Sequence, residues 1–282
     1  ESDFEAALIQ RLTEKCGWDR AVLKYKTEED LIRNWQAILF ENNRRRDSLN
    51  DVPLTDTEMG QIITQVNTIR TPLALNDFIN GKTVTIKRDN PADPEHLGKE
   101  VSLRIYDRME IAGGTSKYQI AQQPIFRGKS QLGRDRRGDF MLLINGMPLI
   151  HVELKKSGVP ISQAYNQIEK YSHEGVFSSG IFSLVQVFVA MSPEEAVYFA
   201  NPGSDGKFNK DFYFHWADFN NEPINAWEDV AGRLLSIPMA HQLIGFYTVS
   251  DKSDGILKVM RSYQYYASNA IASRVAKRDW EV

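Results

Sequence analysis

Between Arg137 and Lys156 the chain sets Phe140-Met141-Leu142-Leu143-Ile144 against Met147-Pro148-Leu149-Ile150, with Asn145-Gly146 between them. Asn-Gly flanked by apolar runs is the strongest short-range signal for a β-hairpin, because both residues tolerate the positive φ of a tight turn. An acid, Asp139, opens the first strand, and Glu153 and Lys155 close the second. Side chains alternate along a strand, so His151, Glu153 and Lys155 share one face while Val152 and Leu154 take the other. A two-residue loop would pair Asp139 with Val152 and send Glu153 to the wrong face. A three-residue loop, with Gly146 left-handed and a bulge, pairs Asp139 with His151 and gathers the charged groups. A common site therefore requires that one-residue offset or an equivalent one, and Pro148, which cannot donate to a ladder, makes irregular pairing beside the turn plausible.

Two carboxylates and an ammonium at one end of a hairpin suit metal-dependent phosphodiester hydrolysis. Carboxylates hold a hard divalent cation such as Mg²⁺, which neutralises phosphoryl charge and acidifies water. A lysine beside them orients the attacking water and stabilises developing negative charge. The bland reading of the same residues is an edge strand with a charged solvent face. Glu153-Leu154-Lys155 is the only Glu-x-Lys in the chain.

Downstream, Ala164, Ile168 and Tyr171 recur at helical spacing, with Ser162 placed to cap the start. Gln167 and Tyr171, four apart, share a helix face.

Asp139, Glu153-Leu154-Lys155 and the Gln167-x-x-x-Tyr171 helix together resemble the PD-(D/E)xK nuclease signature. The phrase Ile144-Asn145-Gly146-Met147-Pro148-Leu149 before Val152-Glu153-Leu154-Lys155 is similar to the nuclease domain of the restriction (R) subunit of type I restriction-modification enzymes, and the likeness extends over most of the chain. One departure is Gly138, where the superfamily often has proline. The resemblance implies an α/β restriction-endonuclease-like core, a central mixed sheet flanked by helices. In it Asp139 and Glu153, with the carbonyl of Leu154, bind Mg²⁺, Lys155 positions the water, and Gln167 and Tyr171 hold the site or the DNA backbone. An acid on the first helix often approaches the metal in that family, which makes Glu5 an accessory ligand. Implied partners are double-stranded DNA and the methyltransferase (M) and specificity (S) subunits, with ATP used by a motor domain. Alternatives are another repair or phage-defence nuclease of the superfamily, or a catalytically silent module that docks the motor.

Apolar and charged contents of 42% and 25% are those of an ordinary globular protein. No run of about 18 apolar residues suggests a membrane span, and no basic-then-apolar segment opens the chain. The single cysteine, Cys16, excludes an intrachain disulfide and suits the cytoplasm. A net charge of −3 does not advertise nucleic-acid binding, so a local patch is needed. Arg127, Lys129, Arg134, Arg136 and Arg137, with Lys156, supply the candidate; a solvated basic loop is the alternative.

The opening Ser2-Asp3-Phe4-Glu5 reads as a capping box, with Glu5 as its N3 carboxylate. Residues 28–70 read as a helical insertion of two amphipathic helices, carrying Leu31, Trp35, Ile38 and Leu39, then a capping box at Thr55-Asp56-Thr57-Glu58 and Met59, Ile62, Ile63 and Val66. Strands are expected at 83–87, 101–106, 118–126, 184–190, 196–200 and 212–216, with the chain helical again from Trp227. Gly81-Lys82-Thr83 is no phosphate loop, since Asn76 stands where that motif needs glycine and a strand follows. His96, His173, His215 and His241 lack metal-ligand spacing, and His151 reads as a polar strand residue. A domain boundary is expected near residue 258, because Arg261-Ser262-Tyr263-Gln264 resembles the lead-in to the motor of the same subunits, making 259–282 the start of that domain.

Overall fold

The computed structural model describes residues 1–45, 49–111, 114–127, 135–204 and 206–276. In chain order the elements are α1 (Ser2–Lys15), β1 (Leu23–Lys24), α2 (Glu28–Asn43), α3 (Asp56–Thr68), α4 (Pro72–Asn80), β2 (Thr83–Lys87) and β3 (Glu100–Arg104). There follow β4 (Tyr118–Gln122), β5 (Ile125–Phe126), β6 (Arg136–Arg137), β7 (Phe140–Ile144), β8 (Met147–Leu154), α5 (Ser162–His173), β9 (Val187–Met191) and β10 (Ala196–Ala200). The chain ends in α6 (Trp227–Arg233), α7 (Met239–Gly245), β11 (Thr248–Asp251), β12 (Ile256–Val259) and α8 (Ser262–Ala276).

A six-stranded sheet in the order β1-β4-β7-β8-β9-β10 forms the centre. β7 pairs antiparallel with β4 and β8, and β10 with β9, whereas β1–β4 and β8–β9 are parallel. The molecule is thus mixed α/β. Every residue of β7, β8 and β9 is buried, which explains their near-continuous apolar sequences. α5 supplies the crossover that parallel β8 and β9 need, and packs against both strands.

The hairpin turn contains Asn145 at φ 52° and Gly146 at φ 85°, a two-residue turn with both central residues left-handed, in place of the expected three-residue loop. Ile144 pairs with Met147 and Leu143 with Pro148, but Leu142 pairs with Ile150. Leu149 is therefore the extra residue of a bulge beside the proline, and it shifts the register by one residue in the sense opposite to the expected one, so that His151 pairs with Met141 and not with Asp139. A Cβ on Gly146 would lie 2.8 Å from the Cα of Trp35, so the turn also needs glycine to sit against α2.

The insertion helices α2 and α3 form with the expected inner faces, and both carry full capping boxes, Thr27 with Asp30 and Thr55 with Glu58. α3 packs on the β2–β3 hairpin. Fully buried Arg88 fastens the two: its guanidinium meets Glu58 at 2.6 Å and Asp93 at 3.3 Å, while the other Glu58 oxygen accepts from the Asp89 N–H.

Several expectations are corrected. α1 starts at Ser2 with Glu1 at its N-cap position and no side-chain cap, so the capping box of Ser2 and Glu5 does not form. Ser162 is likewise the first helical residue of α5, not its cap. The 118–126 strand breaks at Gln123, whose φ is 51°. The 184–190 strand begins only at Val187, after a 3₁₀ turn, Ile181–Leu184. Residues 212–216 make no strand, only an isolated bridge of Phe214 to Tyr198. The β11–β12 hairpin interrupts what reads as a helical tail, its strands pairing from Thr248↔Val259 to Asp251↔Ile256.

Removing the Arg88 guanidinium would leave Glu58 buried without a counter-charge and Asp93 with only His96 beside it. Arg88→Ala is expected to lower stability by about 3–5 kcal/mol in urea unfolding. An unchanged midpoint would mean that the ion cluster does not hold the insertion to the core.

Candidate active site

The bulge decides what faces what. Since Phe140 pairs with Val152, the next step of the ladder sets Asp139 opposite Glu153. The Leu154 N–H donates to Asp139 Oδ2 at 2.6 Å, pinning that carboxylate to the end of β8. Glu153 is wholly buried, and neither of its oxygens has a hydrogen-bond partner.

Lys155 reaches back over this pair. Its Nζ lies 4.0 Å from Glu153 Oε1 and donates to the Leu154 carbonyl at 2.7 Å and to Gln167 Oε1 at 3.0 Å. Gln167 Nε2 donates to the Tyr171 hydroxyl at 2.7 Å, which donates in turn to the Arg137 carbonyl at 2.9 Å. Helical spacing puts Gln167 and Tyr171 on the α5 face that meets the sheet, so this relay joins α5, the end of β8 and the backbone before Asp139.

Burial pushes the Asp139 carboxyl up to about 7, with the Glu153 charge adding to the effect. Burial raises Glu153 to about 8, against the opposing pull of Lys155. Tyr171 is raised well above its ordinary value, first by burial and then by Glu153. Two facing carboxyls in a dry site cannot both ionise cheaply without added positive charge.

His151 lies on β8, as expected of a polar strand residue, but its surroundings are mostly aromatic. It is fully buried among the rings of Phe126, Tyr171, Phe177 and Phe188, its pKa depressed by burial to about 4. Its Nε2 lies 3.2 Å from Glu153 Oε2 but is not aligned as a hydrogen bond. This ring also accounts for Gly138: a Cβ there would come 2.7 Å from His151 Cε1. The Gly138 N–H moreover points to the Pro124 carbonyl at 3.3 Å, a bond that proline could not make.

Glu5 is not brought into the pair. It accepts from Gln122 and Gln123, whose amides lie 2.8 Å and 3.1 Å from it. The Gln123 N–H donates to the Asp139 carbonyl at 2.7 Å, so Glu5 braces the neighbouring backbone. Glu1, not singled out from the sequence, approaches closer, 4.0 Å from Lys155 Nζ. Nothing in the pattern marks it, since only the packing of α1 brings it there. Among the described residues no three His, Cys, Asp or Glu side chains converge as a metal-binding set. Asp139 and Glu153 would therefore depend on main-chain carbonyls, water or substrate for further ligands.

Of the basic patch, Lys129 and Arg134 lie outside the described residues. Arg127, Arg137 and Lys156 are exposed, and the Arg137 guanidinium lies 5.9 Å over the Tyr25 ring. Arg136 is held by both oxygens of Glu174, at 2.8 and 3.0 Å, and is less available to an anion. Arg136, Lys170 and Tyr171 line an open groove beside the relay.

The family described as "Type I restriction enzyme R protein N terminus" matches residues 1–207, and the chain belongs to that family. It is 28% identical over 277 residues to the type I restriction enzyme SauMSSORF170P endonuclease subunit of Staphylococcus aureus, covering 98% of this chain and 27% of that protein. It is 29% identical over 273 residues to the SsaAORF53P endonuclease subunit of Staphylococcus saprophyticus, covering 96% and 27%. Identity is 33% over 277 residues with the EcoprrI endonuclease subunit of Escherichia coli, covering 98% and 82%. The chain spans about a quarter of the length of the staphylococcal relatives. No helix among the described residues is long and apolar enough to cross a membrane.

Both carboxyls titrate higher in the folded chain than in the unfolded one. Between about pH 4 and pH 8 the folded protein therefore holds protons that the unfolded chain has released. In chelator, stability should fall as pH rises through that window. The Asp139→Asn/Glu153→Gln double variant should show a flatter dependence of its melting temperature. Parallel curves for the two proteins would show that the pair is not the source of strain.

Proposed function

We propose that the chain is the DNA-cleaving part of a type I restriction enzyme R subunit, with a PD-(D/E)xK nuclease core and a Mg²⁺-dependent site. The observation that carries this reading is the facing of Asp139 and Glu153, with Glu153 wholly buried, both its oxygens unpartnered and an immobilised Lys155 beside them. Hard, unpartnered carboxylate oxygens in a site short of positive charge fit an oxygen-seeking divalent cation. Asp139, Glu153 and the Leu154 carbonyl would hold it. When bound, the cation supplies neutralisation of phosphoryl charge and acidification of water.

The chain's own residues do the rest. Lys155, fixed by Leu154 and Gln167, orients the attacking water and faces the negative charge that develops on the phosphate. Gln167 and Tyr171 hold that ammonium at its height above the sheet. Asp139 keeps its second oxygen on the Leu154 N–H and presents the first. Arg127, Arg137 and Lys156, with Lys129 and Arg134, contact the DNA backbone.

In this reading residues 1–258 are the nuclease domain and 259–282 lead into an ATP-driven motor. Translocation by that motor, with methyltransferase and specificity subunits, brings unmodified double-stranded DNA to the site in the cytoplasm. The relatives' names, endonuclease subunits of type I restriction enzymes, support the assignment.

Calorimetric titration with Mg²⁺ or Mn²⁺ should show binding that Asp139→Ala and Glu153→Ala abolish. Lys155→Ala should keep the metal but lose about 10²–10⁴-fold in Mn²⁺-supported DNA cleavage. Metal binding absent from the parent chain, or unchanged from the parent in both carboxylate variants, would favour a docking module without catalysis.

A further inference from the structure

We propose that His151 is a positioning residue for Glu153, donating its Nε2–H to Oε2 so that Oε1 is the oxygen left for the cation. This rests on the metal-site reading above and goes beyond it, by giving one oxygen of the unpartnered carboxylate a protein donor.

His151, Glu153 and Lys155 alternate on one face of β8, with Met141 and Phe188 the neighbours of His151 on the adjoining strands. The imidazole is fully enclosed, and neither ring nitrogen has a hydrogen-bond partner. A residue that only filled this cage would be better as a hydrocarbon, since an unpartnered buried ring nitrogen costs stability. The acceptor within reach is Glu153 Oε2, at 3.2 Å. An uncharged imidazole carries one N–H, and placing it on Nε2 matches that donor to an oxygen that has none.

The cage also holds the ring in place. Phe126, Tyr171, Phe177 and Phe188 surround it with centroids 5.3–6.3 Å away, and Gly138 leaves the space that a side chain would take. Donors to ligating carboxylates set which oxygen faces a metal, and their loss commonly weakens affinity about 10–100-fold.

The test is Mn²⁺ affinity by calorimetry in the whole chain, with melting temperature as the check on folding. His151→Phe keeps the aromatic volume and is expected to melt no lower than the parent, yet to bind Mn²⁺ about 10–100-fold more weakly. His151→Gln, whose amide N–H reaches the position of Nε2, should recover most of that loss. Unchanged affinity in His151→Phe overturns the inference, as does a Gln variant as weak as the Phe one. Should His151→Phe not fold, His151→Leu carries the same comparison. Absence of Mn²⁺ binding in the parent chain would overturn the metal-site reading itself, and this inference with it.

Discussion

One extra residue in β8 governs the geometry of this protein's site. Without the bulge at Leu149 the tight Asn145-Gly146 turn would carry its register down the hairpin and set Asp139 opposite Val152. With it, Asp139 and Glu153 meet across the ladder, and two carboxyls face each other with Glu153 wholly buried. That pair is costly in an apolar setting, and the surrounding structure over-determines it: the Leu154 N–H holds one acid, and the walls of β8 and α5 enclose the other. Bulges re-aim side chains next to functional sites in this way.

The rest of the fold serves to hold that hairpin end rigid. α5 does double duty, as the crossover that makes β8 and β9 parallel and as the carrier of Gln167 and Tyr171. The chain of hydrogen bonds from Lys155 to the Arg137 carbonyl crosses from helix to sheet and back to the backbone just before Asp139. From the opposite side Glu5 braces the Gln122-Gln123 bend, and Gln123 is hydrogen-bonded to Asp139.

Function at this site is electrostatic before it is chemical. Burial raises both carboxyls and keeps the neighbouring imidazole neutral, so the pocket lacks positive charge beyond Lys155. The proposed divalent cation would supply the positive charge that this balance lacks. The overall charge of −3 is no obstacle to this, because the exposed cations Arg137 and Lys156 lie within two residues of Asp139 and Lys155 along the chain.

Much of this was legible in the chain itself. The period-two placement of His151, Glu153 and Lys155, the Asn-Gly turn, the four-residue spacing of Gln167 and Tyr171, and the capping box at Thr55 are local patterns, and local patterns follow from backbone geometry. Helix starts at Ser2 and Ser162 misled, since a serine before an apolar run looks the same whether it caps the helix or sits inside it. Pro148 marked where irregular pairing could arise but not its sense, whereas the cage around His151, the use of Glu5 by two glutamines and the approach of Glu1 to Lys155 had no local signature. Each depends on which elements pack together, and only the folded chain brings side chains more than a hundred residues apart within a few ångströms of one another.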